Sequence, residues 1–212
     1  MISSTLKDVE FWMHLGVPST VRKLKPIDVP FLSYSTYKPC IEANAFMHHL
    51  AVLRKLKAST LKTYASYLVH LIRFVENQPS LSRFSQLTDA SFRLFIQNLT
   101  IETKPTGEPK RSSTEVAKIG EICIQFLQFV QQFHDLTHFI GREDACAISI
   151  IEKKHAIFIE GRKNKKEVIT ISHASLPKKG VVKKRHPVSQ ANALKIWDYL
   201  SKQKKDISHI KD

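Results

Sequence analysis

Apolar positions recur at helical spacing through the middle of the chain. In "KASTLKTYASYLVHLIRFVE", placed at about 100° per residue, Leu61, Ala65, Leu68, Val69, Leu71, Ile72 and Val75 gather on one side with Tyr64. The opposite side carries Lys62, Thr63, Ser66, His70 and Arg73, with no acid before Glu76. A solvated helix face ordinarily mixes both signs of charge, so this stripe of hydroxyls and cations asks for a reason. The same periodicity predicts a helix over 41–56 with Ala45/Phe46, Leu50, Leu53 and Leu56 inward. A further short helix is capped by Thr88, with Phe92, Phe95, Ile96 and Leu99 inward. A long one runs to about Gln132, with Val116, Ile119, Cys123, Phe126, Leu127 and Val130 inward. Ser59 and Ser112 stand as N-caps of the second and fourth helices, and Ser112 with Glu115 has capping-box spacing.

Around these helices the pattern changes. Residues 1–38, with Pro18, Pro26 and Pro30 and with Pro39 just beyond, read as an irregular or partly helical arm. After "HFIGRED" the β-branched runs "AISII" and "EVITI" flank "EGRKNKKE", whose Gly and Asn suit a turn, which predicts a two-stranded ribbon or a pair of strands. "SHASLPKKGVVKKR" reads as a basic extended linker, and "PVSQANALKIWDYLSKQ" as a helix capped near Ser189. The fold class expected is therefore mainly α: a four-helix bundle, a short β ribbon, a basic linker and a terminal helix.

Charge sharpens the picture. The 212 residues hold 33 Lys+Arg against 19 Asp+Glu, a formal net charge of +14, which favours a polyanionic partner. Residues 151–212 alone contain 16 basic and 6 acidic side chains, so long-range attraction comes mostly from that third. No apolar run reaches the ~20 residues of a bilayer span, and the N-terminus lacks a charged region followed by an apolar one; a cytoplasmic protein without a membrane partner is expected. Cys40, Cys123 and Cys146 are odd in number and lack metal-like spacing, which suits buried thiols.

The order "ASTLKTYASYLVHLIRFVE", "LTDASFRLFIQNL", "RSSTEVAKIGEICIQFLQFV", a basic linker and "RHPVSQANALKIWDYL" resembles the front half of a tyrosine recombinase of the phage-integrase family, over about residues 41–205. The resemblance implies a SAM-like helical core-binding domain that clamps one face of duplex DNA with its second and fourth helices. It divides the chain into an arm (1–38), a core-binding domain (39–140), a ribbon and linker (141–186), and the beginning of a truncated catalytic domain (187–212). The family's catalytic signatures lie beyond the helix at 189–205, and Tyr34, Tyr37, Tyr64, Tyr67 and Tyr199 stand in no such context. No catalytic residue is therefore assigned, and the chain itself is not expected to be an enzyme.

On that reading the polar stripe faces phosphates and a groove. Lys62 and Arg73 supply charge, while Thr60, Thr63 and Ser66 supply short donors. Lys110, Arg111, Ser113, Thr114 and Lys118 form a second cluster at the start of the fourth helix, where a helix N-terminus adds its own N–H groups. Lys178, Lys179, Lys183, Lys184 and Arg185 would track phosphates along the linker. Base readout would come from Lys62, Ser66, Arg111 or Lys118. The expected partners are double-stranded DNA and further recombinase protomers on it, with no small-molecule substrate and no cofactor.

Other features carry less. His134 and His138 are four apart but lack a third ligand at metal spacing. "MHH" at 47–49 reads as surface decoration of the first helix. "EGRKNKK" lacks the pattern of a phosphate loop. The competing function is a helical interaction or regulatory module that binds polyanions without sequence preference. An RNA binder is less favoured, since the strands lack aromatic platforms, and no nucleophile–base pair suggests a stand-alone enzyme.

Overall fold

The computed structural model describes residues 2–10, 12–14, 21–23, 26–142, 145–158 and 165–178, together with Asn192, Leu194, Lys195 and residues 197–199. The chain divides into two units, Met1–Lys179 and Gly180–Asp212. The described residues of the second unit are helical and exposed; the expected cap at Ser189 lies outside the described residues.

The first unit is mixed α/β, and this corrects the mainly α expectation. The region expected to be an irregular or partly helical arm forms strands β1 (Ile2–Val9), β2 (Trp12–His14), β3 (Val21–Lys23) and β4 (Ile27–Ser33), paired antiparallel as β1–β4 and β2–β3. β4 also belongs to the core. Val29 and Leu32 are buried among helical residues, and the Asn44 carboxamide treats Leu32 as a neighbouring strand would. Its Nδ2 donates to the Leu32 carbonyl at 2.9 Å and its Oδ1 accepts the Leu32 N–H at 2.8 Å. Prolines argue against strand in sequence, but an edge strand tolerates a missing N–H.

Four helices carry the core: α1 (Ile41–Val52), α2 (Ala58–Asn77), α3 (Asp89–Ile101) and α4 (Ser113–Phe133). α4 is the central one. Besides the six inward residues read from periodicity, Ala117, Ile122 and Ile124 are buried, so most of its circumference is covered. Phe126 sits between Phe84 and Phe46, edge-on at centroid separations of 5.0 and 5.6 Å.

The caps follow local chemistry in part. Thr88 accepts the Ser91 N–H and the Ser91 hydroxyl accepts the Thr88 N–H, a reciprocal box. Ser112 accepts the Glu115 N–H at 3.2 Å. Ser59 is not a cap: α2 starts at Ala58, with Lys57 at the cap position and no side-chain bond. α1 ends at Val52 rather than near 56, because the chain turns back there. Lys55 takes a left-handed φ of 51°, and the Leu56 N–H donates to the Leu50 carbonyl. Leu53, expected inward, is thereby left exposed.

Beyond α4, β5 (Ile140–Gly141) and β6 (Ile148–Ser149) pair in parallel, and β7 (Ile151–Phe158) and β8 (Lys165–Ser172) form an antiparallel ribbon in register Ile151↔Ser172 to Phe158↔Lys165. The ribbon matches expectation, but its first strand lies mostly C-terminal to "AISII", whose Ile148 belongs to β6 and to the core.

Candidate nucleic-acid interface

α2 splits as its sequence indicates. Leu61, Ala65, Leu68, Leu71, Ile72, Phe74 and Val75 are buried, while Lys62, Thr63, Ser66 and Arg73 are exposed and Thr60 is half-buried. The hydroxyls are partly engaged with their own helix: Thr63 Oγ1 donates to the Ser59 carbonyl at 3.1 Å and Ser66 Oγ to the Thr63 carbonyl at 2.8 Å. Their oxygens remain acceptors toward solvent. Lys62 Nζ lies 4.0 Å from Asp28 Oδ2 on β4, so the arm places a carboxylate beside the stripe that α2 alone lacks.

Eight residues further along α2, about 12 Å at 1.5 Å per residue, a second group assembles around His70. Burial holds its imidazole down at about 4, helped by the nearby charges of Arg111, Arg73 and Lys110 and opposed by Glu102. A neutral histidine thus sits among three cations and one carboxylate. The fold brings Arg73 of α2 together with Lys110 and Arg111 before α4, two groups read separately in the sequence.

Arg111 has a different character from the one read in sequence. Its side chain is only 8% exposed and is ion-paired with Glu102, which also pairs with Lys110. Those two partners pull the Glu102 carboxyl down to about 2. A guanidinium so placed fastens the loop before α4. Ser113 and Lys118 are exposed and Thr114 is half-buried on the first turns of α4. Lys178 is exposed; Lys179, Lys183, Lys184 and Arg185 lie outside the described residues, as does the basic turn 159–164.

One network was not anticipated in sequence. His173, just after β8, is completely buried, with Nε2 2.7 Å from Asp89 Oδ1 and Nδ1 2.7 Å from Ser175 Oγ. The order Ser–His–Asp is that of a hydrolytic relay, yet Nδ1 also receives the Ser175 N–H at 3.1 Å. Its single lone pair is thus shared with a backbone donor. Burial would raise the Asp89 carboxyl, but bonds from His173, Arg93 and the Ser149 N–H outweigh it and hold it at about 2. With the ring edge-on to Phe92 at 4.9 Å, this is a fastener joining α3, β6 and the end of the ribbon. An Asp at helix position N1 followed far away by "SHAS" is its faint sequence signal.

The histidines elsewhere are also relocated. α4 ends at Phe133, so His134 and His138 do not share a helix face, and among the described residues no three His, Cys, Asp or Glu side chains converge for a metal. Met47 is fully buried in the core rather than decorating the surface; His48 is exposed, and His49 packs on Phe129 at 5.4 Å. His49, Arg54, Gln125, Gln128 and Phe129 help line a cavity of about 530 Å³ between α1, α4 and β8. No helix among the described residues is long and apolar enough to cross a membrane. No protein-family model, curated protein or solved structure matches the chain.

Proposed function

We propose that the chain binds double-stranded DNA with sequence preference, as the non-catalytic portion of a site-specific tyrosine recombinase acting in DNA integration or excision. Its helical part, α1 to α4, is then a SAM-like core-binding domain. The observation that carries the reading is the exposed face of α2, where Lys62, Thr63, Ser66 and Arg73 present cations and hydroxyls in a chain of formal charge +14. Cations and short hydroxyls are what a phosphate backbone takes from a helix, and Arg73 extends the face toward the start of α4. Lys62, Ser66 and Lys118 are the candidates for base contacts, and Arg111 holds the surface in shape. Further protomers would join on DNA.

The test is fluorescence anisotropy against short duplexes tiled through the DNA flanking its own gene, with shuffled duplexes and a salt series. The expected result is preferential binding to one or two tiles, falling steeply with salt. Equal binding to all tiles and to heparin would favour the second reading, a regulatory interaction module. The polar cavity between α1, α4 and β8, which Arg54 and Gln128 help line, is the feature on that side.

A further inference from the structure

The loop between α3 and α4 is built around one carboxylate. Glu102 ends α3, and its backbone carbonyl accepts the Lys110 N–H at 2.8 Å. The residues between are closed by the Thr103↔Pro109 bridge, by Lys104 N–H to the Glu108 carbonyl at 2.8 Å, and by Gly107 N–H to the Lys104 carbonyl at 2.9 Å. Gly107 has a φ of +83°, where a side chain would be strained. This closure sets the Glu102 side chain against Lys110 and Arg111. Of the charges acting on His70, Glu102 is the anion and Arg73, Lys110 and Arg111 are the cations.

An open hollow of about 570 Å³ lies beside this cluster, with Thr100, Arg111, Ser112, Ser113 and Pro177 in its wall. Glu108 also lines it and is paired with Lys104 at 3.4 Å. The first turn of the 21-residue α4 opens here, so N–H groups, two serines and a guanidinium meet at one place.

We infer that Glu102 is an internal stand-in for a DNA phosphate: its carboxylate occupies the anion position that Lys110 and Arg111 offer, and a backbone phosphate docks there by displacing it. The inference rests on the DNA-binding reading. A carboxylate bridging two cations satisfies the same donors that a phosphate would take. It keeps the nearly buried Arg111 paired when no DNA is present, avoiding an uncompensated charge. Glu102 is 41% exposed, so a phosphate can reach its position from solvent. The exchange makes the site weaker but more discriminating, since a phosphate must arrive in register before the carboxylate yields.

The test compares wild type, Glu102→Gln and Glu102→Asp by anisotropy on a flanking-DNA duplex and on heparin, with thermal unfolding as a check on the fold. At about 0.15 M salt Glu102→Gln is expected to bind duplex roughly three- to tenfold tighter. Its salt dependence should be steeper by about one unit in slope, because no displaced carboxylate takes up a cation. Glu102→Asp keeps the charge but draws it back by one methylene, and a smaller gain is expected. That second variant decides the matter if the first does not fold. Wild type that prefers duplex, with folded variants that bind no tighter, overturns this inference alone. Wild type that binds heparin as tightly as duplex overturns the DNA reading and this inference with it.

Discussion

His173 and Asp89 lie 84 residues apart in sequence and 2.7 Å apart in space, joined by a bond from a fully buried imidazole to a carboxylate at the start of α3. Because the Ser175 N–H donates to Nδ1, Nε2 carries the proton given to Asp89. The bond ties the end of β8 to the helical core, and with it the position of the ribbon.

Acid should loosen this fastener. The Asp89 carboxyl is held at about 2, below the usual carboxylate value of 3.8, so its contribution is complete above about pH 4 and is lost as pH falls through about 2. Asp89→Asn is expected to lower stability at neutral pH by about 1–3 kcal/mol and to remove that part of the acid dependence. Thermal unfolding of both proteins between pH 2 and 7 checks it; parallel curves would exclude the role.

The two arginines of the basic cluster should behave differently. Arg73→Ala is expected to leave the melting temperature unchanged while reducing the salt slope of DNA binding by about 0.9, the loss of one phosphate contact. Arg111→Ala should lower stability by about 1–2 kcal/mol, less than for a wholly buried pair because Glu102 is partly exposed, and should weaken duplex binding as well, since it removes one of the two cations on which the phosphate docks. Melting curves and anisotropy on the same samples separate the two effects.

Thiol accessibility offers a direct check of the core. Cys40 and Cys123 are buried and Cys146 is half-buried. Burial pushes the Cys40 thiol up to about 11 and the Cys123 thiol higher still, and the thiolate is the reactive form. Ellman's reagent should therefore titrate one thiol per native chain, Cys146, and three after denaturation. Rapid native reaction of all three would contradict the packing around α1 and α4.

Phe126 tests the centre of the bundle. It is fully buried against Phe46 and Phe84, and its truncation removes a large apolar group from a close-packed site. Phe126→Ala is expected to cost about 3–5 kcal/mol, which calorimetry would register as a fall in melting temperature of roughly 6 °C or more. A smaller loss would mean that the surrounding rings collapse into the space.

The helices were legible because their information is local. The 3.6-residue repeat marked α2, α3 and α4, and Thr88 and Ser112 cap where their side chains reach a neighbouring N–H. The exposed face of α2 was legible for the same reason, as Lys62, Ser66 and Arg73 follow from spacing alone. The arm was misread because β4 is a strand by virtue of its partners: Asn44 pairs with Leu32 from another element, and Val29 and Leu32 fill core positions that periodicity within residues 1–38 does not reveal. The pairing of Arg111 with Glu102 was not legible, because the two lie nine residues apart across a closed loop. The Asp28 carboxylate beside Lys62 escaped notice likewise.

By itself, then, the amino-acid sequence determined where helices run, which side of each is apolar, and that the chain as a whole carries a formal net charge of +14. Those properties depend on residues within a turn or two of one another and on a sum of charges. Only the tertiary structure decided which cations share a site, which one is already neutralised by Glu102, and how His173 and Asp89 lock the ribbon in place. Ion pairs and buried hydrogen bonds depend on distances between side chains far apart in sequence, and only the packed core sets those distances.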